Sequence, residues 1–182
     1  MKRPVLHLFV ARRKDNEDVV HFHPRKKSFL AYEGENFNSA FEAFVNEGQP
    51  GEYSRHYVSV NPRDEGKIRD ELVIRILRAK PSVTKISAVT ASIAAKPECA
   101  AEHKWLLDFD SRDKALLEEF MKDLRKYFSD DEEIRVYDTP NGCAVIVPHG
   151  FDVRLLMERW GDVCENKRDA MLFAEGKARG QE

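Results

Sequence analysis

Lys104-Trp105-Leu106-Leu107-Asp108-Phe109-Asp110 is an apolar and aromatic run of strand length, broken by two carboxylates spaced two apart. Side chains alternate along a strand, so Asp108 and Asp110 share one face while Leu107 and Phe109 share the other. Two residues of rise set the two Cα atoms roughly 6.5–7 Å apart, within reach of a common ion. Carboxylates this close repel one another unless a cation stands between them. A hard cation such as Mg²⁺ or Mn²⁺ prefers oxygen ligands of this kind. The alternative is a strand end whose acids face water.

Downstream, Ser111 is placed to cap a helix from Arg112 to about Phe128, with Leu116, Leu117, Phe120, Leu124 and Phe128 along one side. Ile134 to Tyr137 reads as a strand, Thr139-Pro140-Asn141-Gly142 as a turn and Cys143 to Val147 as its partner, since Asn-Gly is a strong hairpin signal. Asp152 can cap a helix to Trp160, closed by Gly161, and Met171 to Phe173 reads as a last short strand. The order is strand, helix, strand, strand, helix, strand: an α+β arrangement of the ferredoxin-like, split βαβ kind. In that topology the acidic strand lies mid-sheet, between Cys143–Val147 and the segment near Asp169. Either Asp169 or Glu165 then supplies a third carboxylate beside Asp108 and Asp110.

Upstream, Pro4 to Arg12 and Asp18 to His23 read as a hairpin turning through Lys14-Asp15-Asn16-Glu17. His21 and His23 would share a face, as a solvated or phosphate-facing pair. No third ligand for zinc is nearby. Pro24-Arg25-Lys26-Lys27 is a basic run, either a solvated loop or a contact for an anionic substrate. A helix over Ser39 to Asn46, capped by Asn38, carries Phe41, Phe44 and Val45 as core residues. Arg55 to Val60 alternates like a strand. Asp64 caps a helix to about Ala79, with Ile68, Leu72, Ile76 and Leu77 at helical spacing. A second helix, capped by Ser82, runs towards Ala95 with Val83, Ile86, Val89 and Ile93 on one face.

With 182 residues and 42% hydrophobic content, residues 1–175 are expected to form a single domain with a core strand set over about 104–174. Gly176 to Glu182 lacks large apolar residues and reads as a flexible tail. Charged residues are 34% of the chain but nearly cancel, to a formal −2, so any basic surface must be local. The three cysteines, Cys99, Cys143 and Cys164, share no metal-binding spacing. No apolar run reaches membrane-span length, and the N-terminal stretch is too short and wrongly flanked for a signal peptide. A reducing cytoplasm is the expected setting, with no membrane partner.

Taken together, these pieces resemble the catalytic palm of the archaeo-eukaryotic primase superfamily, and more closely the small stand-alone phage-encoded proteins related to it. The matching motifs are Asn61-Pro62-Arg63, Trp105 to Asp110, Asn141-Gly142 and Lys167-Arg168-Asp169, covering the chain from about Tyr57 to Phe173. The resemblance implies Asp108, Asp110 and Asp169 as catalytic, Mg²⁺- or Mn²⁺-binding acids. It implies Arg63, Lys167 and Asn141 as nucleotide- or phosphate-binding residues; Arg63 also has a plainer reading, as a surface ion-pair partner. The implied activity is two-metal nucleotidyl transfer in DNA replication, acting on nucleic acid and nucleoside triphosphates beside replication proteins, in the host cytoplasm if phage-encoded. The family carries a histidine in the strand after the Asn-Gly turn; the matching position here is Ala144. A primase-like fold that binds nucleic acid or a nucleotide without catalysis is therefore the alternative, and a metal-dependent nuclease or phosphodiesterase is a third reading.

Overall fold

The computed structural model describes residues 2–32 and 34–180. The chain divides into two compact units: residues 1–101 with 173–182, and residues 102–172. Each is a sheet with its own helices, so the class is α+β. No helix among the described residues is long and apolar enough to cross a membrane.

In the first unit, β1 (Pro4–Ala11) pairs antiparallel with β2 (Arg25–Tyr32) and with β3 (Tyr53–Ser59). With β8 (Met171–Ala178) the sheet order is β2-β1-β3-β8. The hairpin partner of β1 is thus not Asp18–His23, which forms turns, but the segment opening on Arg25-Lys26-Lys27. Phe29, Leu30 and Ala31 supply the apolar contacts of β2, whereas Val20 is 77% exposed. Arg25 leaves the basic run to ion-pair with buried Glu52 and to lie 4.3 Å over the Phe44 ring. Helix α1 (Asn38–Asn46) sends Phe41, Phe44 and Val45 onto Phe9, closing an aromatic core.

Helices α2 (Glu65–Ala79) and α3 (Ile86–Ala94) pack on each other, with α3 against β2. Asp64 caps α2 by accepting from the Lys67 N–H, as its position implies. Of the four α2 residues at core spacing, Ile68 is buried and Leu72 half-buried, but Ile76 and Leu77 are exposed. Val83, expected on the inner face of the next helix, sits in a 3₁₀ turn and is 87% exposed.

The second unit runs β4 (Trp105–Phe109), α4 (Lys114–Arg125), β5 (Arg135–Asp138), β6 (Cys143–Val147), α5 (Arg154–Trp160), β7 (Cys164–Lys167). Its sheet order is β5-β6-β4-β7, antiparallel throughout, which leaves β4 in an interior position. The strand beside β4 is Cys164–Lys167, where the sequence pointed to Met171–Phe173; the latter opens β8, in the other sheet. β8 also runs to Ala178, into the stretch read as tail, and backbone bonds tie Arg179 to Gly51 and Glu52. Leu107, Phe109, Val145 and Val147 meet Phe120 and Leu124 of α4 and Leu156 and Trp160 of α5 in the core of this unit. Asp113, rather than Ser111, caps α4 by accepting from the Ala115 and Leu116 N–H groups.

Candidate functional site

The apolar residues of β4 decide which way its acids point. Leu107 and Phe109 are fully buried under α4 and α5, so alternation turns Asp108 to the sheet face away from those helices. Register completes the row. Asp108 pairs with Ala144 on β6 and with Glu165 on β7, and Ala144 pairs with Tyr137 on β5. The next row is Arg135, Ile146, Leu106 and Lys167. Asp110 lies just past the end of β4, exposed, with its backbone N–H donating to the Val163 carbonyl at 2.8 Å.

Lys167 is the cation beside Asp108. Its ammonium donates to Asp108 Oδ2 at 2.5 Å and sits 3.0 Å from Glu165 Oε2. Burial lowers its pKa, but the hydrogen bonds to the two carboxylates outweigh that and leave it raised. The same anionic neighbourhood is felt by the buried Cys164 thiol, pushed up to about 12 by burial first and then by Asp108, Cys143, Asp110 and Glu165. Cys164 is therefore a neutral core residue and no nucleophile.

The end of β4 is braced by the β5–β6 turn. A Cβ on Gly142 would lie 2.1 Å from the Phe109 carbonyl oxygen and 2.7 Å from the Ser111 nitrogen, so only glycine lets the turn approach. Thr139 N–H donates to the Gly142 carbonyl, and the Arg112 guanidinium donates to the Pro140 carbonyl. Asn141 is exposed at this turn. Trp105 packs on Phe151 and carries the Arg168 guanidinium 5.0 Å above its ring.

The remaining residues singled out by the sequence are placed as follows. Asp169 lies in the bend beyond β7, half-buried and outside the β4–β7 register; the acid set opposite Asp108 is Glu165. Arg63 belongs to the first unit. It bridges to Ala100, donates its N–H to the Pro4 carbonyl and is only 2% exposed, which removes the reading as a surface ion-pair residue. His21 and His23 are exposed but on no strand.

Asp108, Asp110 and Glu165 each offer only oxygen donors, the chemistry that suits Mg²⁺ or Mn²⁺. Among the described residues no three His, Cys, Asp or Glu groups stand together as an ion-holding cluster. The Lys167 ammonium is held by both Asp108 and Glu165.

A second buried cluster was not foreseen. In the first unit His7 Nδ1 meets His56 Nε2 at 2.9 Å, and His56 Nδ1 meets Glu175 Oε1 at 3.2 Å. With neutral rings, His56 donates to Glu175 and His7 donates to His56, which leaves His7 Nε2 as a buried bare acceptor. The signal was present: His7 and His56 occupy strand positions on the same face as Phe9, where alternation calls for apolar residues.

No family model, no curated protein and no solved structure matches this chain.

Proposed function

We propose that the face of the second unit's sheet opposite α4 and α5 carries a phosphate-directed site of the primase-palm kind, on a ferredoxin-like sheet, serving metal-dependent nucleotidyl transfer on nucleic acid. The observation that carries this reading is the register that brings Asp108, Glu165 and Lys167 together beside Asp110. Mg²⁺ or Mn²⁺ held by these acids supplies charge neutralisation for phosphoryl transfer. The residues themselves hold and orient. Asp108, fixed mid-sheet by its buried neighbours, is the rigid member, and Asp110, at the strand end, is the adjustable one. Lys167 leaves Asp108 for a triphosphate oxygen, so phosphate and ion arrive together. Asn141 stands at the braced turn beside Asp110, where a sugar or phosphate can be met.

Ala144 favours a second reading. It is Asp108's direct neighbour on β6, so the position that the resemblance assigns to a nucleotide-contacting histidine has no polar group at all. A face with acids and lysine but no such contact can retain a nucleotide or nucleic acid without turning it over.

The test is calorimetric titration of Mn²⁺ and Mg²⁺, with and without a nucleoside triphosphate, on the wild type and on Asp108→Ala/Asp110→Ala. Ion binding that grows with triphosphate and disappears in the double variant supports the catalytic reading, which then requires ion-dependent nucleotide incorporation. Triphosphate binding that is indifferent to ions and to the double variant supports the binding module. No binding of either kind overturns both.

A further inference from the structure

From Leu72 to Pro97 the chain carries Arg75, Arg78, Lys80, Lys85 and Lys96 and no acidic residue, in a protein of formal charge −2. The same stretch exposes aliphatic side chains: Val73 51%, Ile74 42%, Ile76 38%, Leu77 72% and Val83 87%. Every residue from Val73 to Lys80 is exposed, so the last two turns of α2 stand clear of the body that buries Ile68 at its start. Lys96 is held by Glu71 at 2.8 Å. No ion pair among the described residues engages Arg75, Arg78, Lys80 or Lys85.

At 100° per residue, Ile76, Val73, Leu77 and Ile74 form one arc of α2 centred on the side opposite Ile68, with Ile76 at its edge about 80° from it. An aliphatic arc of this breadth, left in water, is an interaction surface more often than a neutral feature. The local sequence also does little to hold these turns alone, because three of the four arc residues are β-branched. The charges then select among partners. A second copy would set cations against cations. Nucleic acid would use the cations but gain nothing from the aliphatic arc, since phosphates want charged and polar donors. A lipid interface is usually gripped by aromatic residues as well, and none occurs between Leu72 and Pro97.

We infer that the exposed end of α2, with the turn carrying Val83, docks an acidic amphipathic segment of another protein, whose apolar side chains cover the Val73–Leu77 arc and whose carboxylates meet Arg78, Lys80 and Lys85. This is helix-face recognition with charge setting the choice of partner.

The experiment uses the full chain and a labelled helical peptide with leucines at i, i+3, i+4 and i+7 flanked by glutamates. A charge-reversed peptide, phosphatidylserine vesicles and a single-stranded oligonucleotide serve as comparators. The acidic peptide is expected to bind, weakening at least tenfold in Leu77→Ser and in Arg78→Glu/Lys80→Glu, and weakening as salt rises. These positions are exposed, so unchanged melting of the variants shows that the loss is local. Binding of the charge-reversed peptide with equal strength overturns the proposal. So does preference for vesicles or oligonucleotide lost in the same variants, Leu77-dependent self-association, or no peptide binding at all.

Discussion

Lys167 is where the chemistry of the acidic face is decided. An ammonium 2.5 Å from Asp108 and 3.0 Å from Glu165 competes with any ion those carboxylates would hold. Lys167→Met is therefore expected to tighten Mn²⁺ binding several-fold in calorimetry while weakening nucleoside triphosphate; unchanged ion affinity would show that Lys167 is a bystander. The buried histidines give a prediction of another kind. Burial, helped by the neighbouring His56, lowers the His7 pKa from 6.5 to about 4, and burial lowers that of His56 against the opposing pull of Glu175. Because folding depresses these pKa values, the stability tied to the neutral rings is fully present above about pH 6.5. It is lost as pH falls from there towards 4. Melting temperature should drop across that window in the wild type and drop less in His7→Phe, which fits among Phe29 and Phe37 and carries no proton.

Among the elements, the β5–β6 turn governs how β4 ends. Gly142→Ala puts a methyl group into the Phe109 and Ser111 backbone, which cannot swing aside as a side chain can. We expect a loss of about 1–3 kcal/mol by urea denaturation. Any ion affinity resting on Asp110 should fall with it, and a neutral outcome would mean that the turn moves freely. Elements with strong periodic patterns were legible beforehand. β6 is five consecutive apolar residues and fell where expected, as did α2 between Asp64 and Ala79. β7 was missed because Cys-Glu-Asn-Lys has a single apolar member; it is a strand by virtue of its pairing with β4, and alternation had nothing to report. β2 was misplaced because Val19, Val20 and Phe22 look more strand-like than Arg25-Lys26-Lys27, yet only the latter segment has the apolar continuation that pairs with β1. At α2, helical spacing identified the helix correctly but could not say that its second half would be exposed.

Over the whole molecule, the chain leaves the first unit at Ala101, builds the second, and returns at Phe173 to supply β8. Truncation after Leu172 is therefore expected to damage the sheet of the N-terminal unit and spare β4–β7. It removes one of the two partners of β3, the backbone bonds of Arg179 with Gly51 and Glu52, and the Glu175 contact of His56. Hydrogen exchange should show faster exchange in β1 and β3, with β4 and β6 protected as before; the reverse pattern would contradict this division.

The late return of the chain also sets a timetable for synthesis. During synthesis β1, β2 and β3 emerge well before β8, the strand that completes their sheet, while residues 102–172 contain everything their own sheet requires. The unit encoded second can finish folding first, against the usual N-terminal-first order. Until residues 173–178 emerge, β3 presents an unpaired edge. Newly made chain is exposed to mispairing along that edge until those residues are in place.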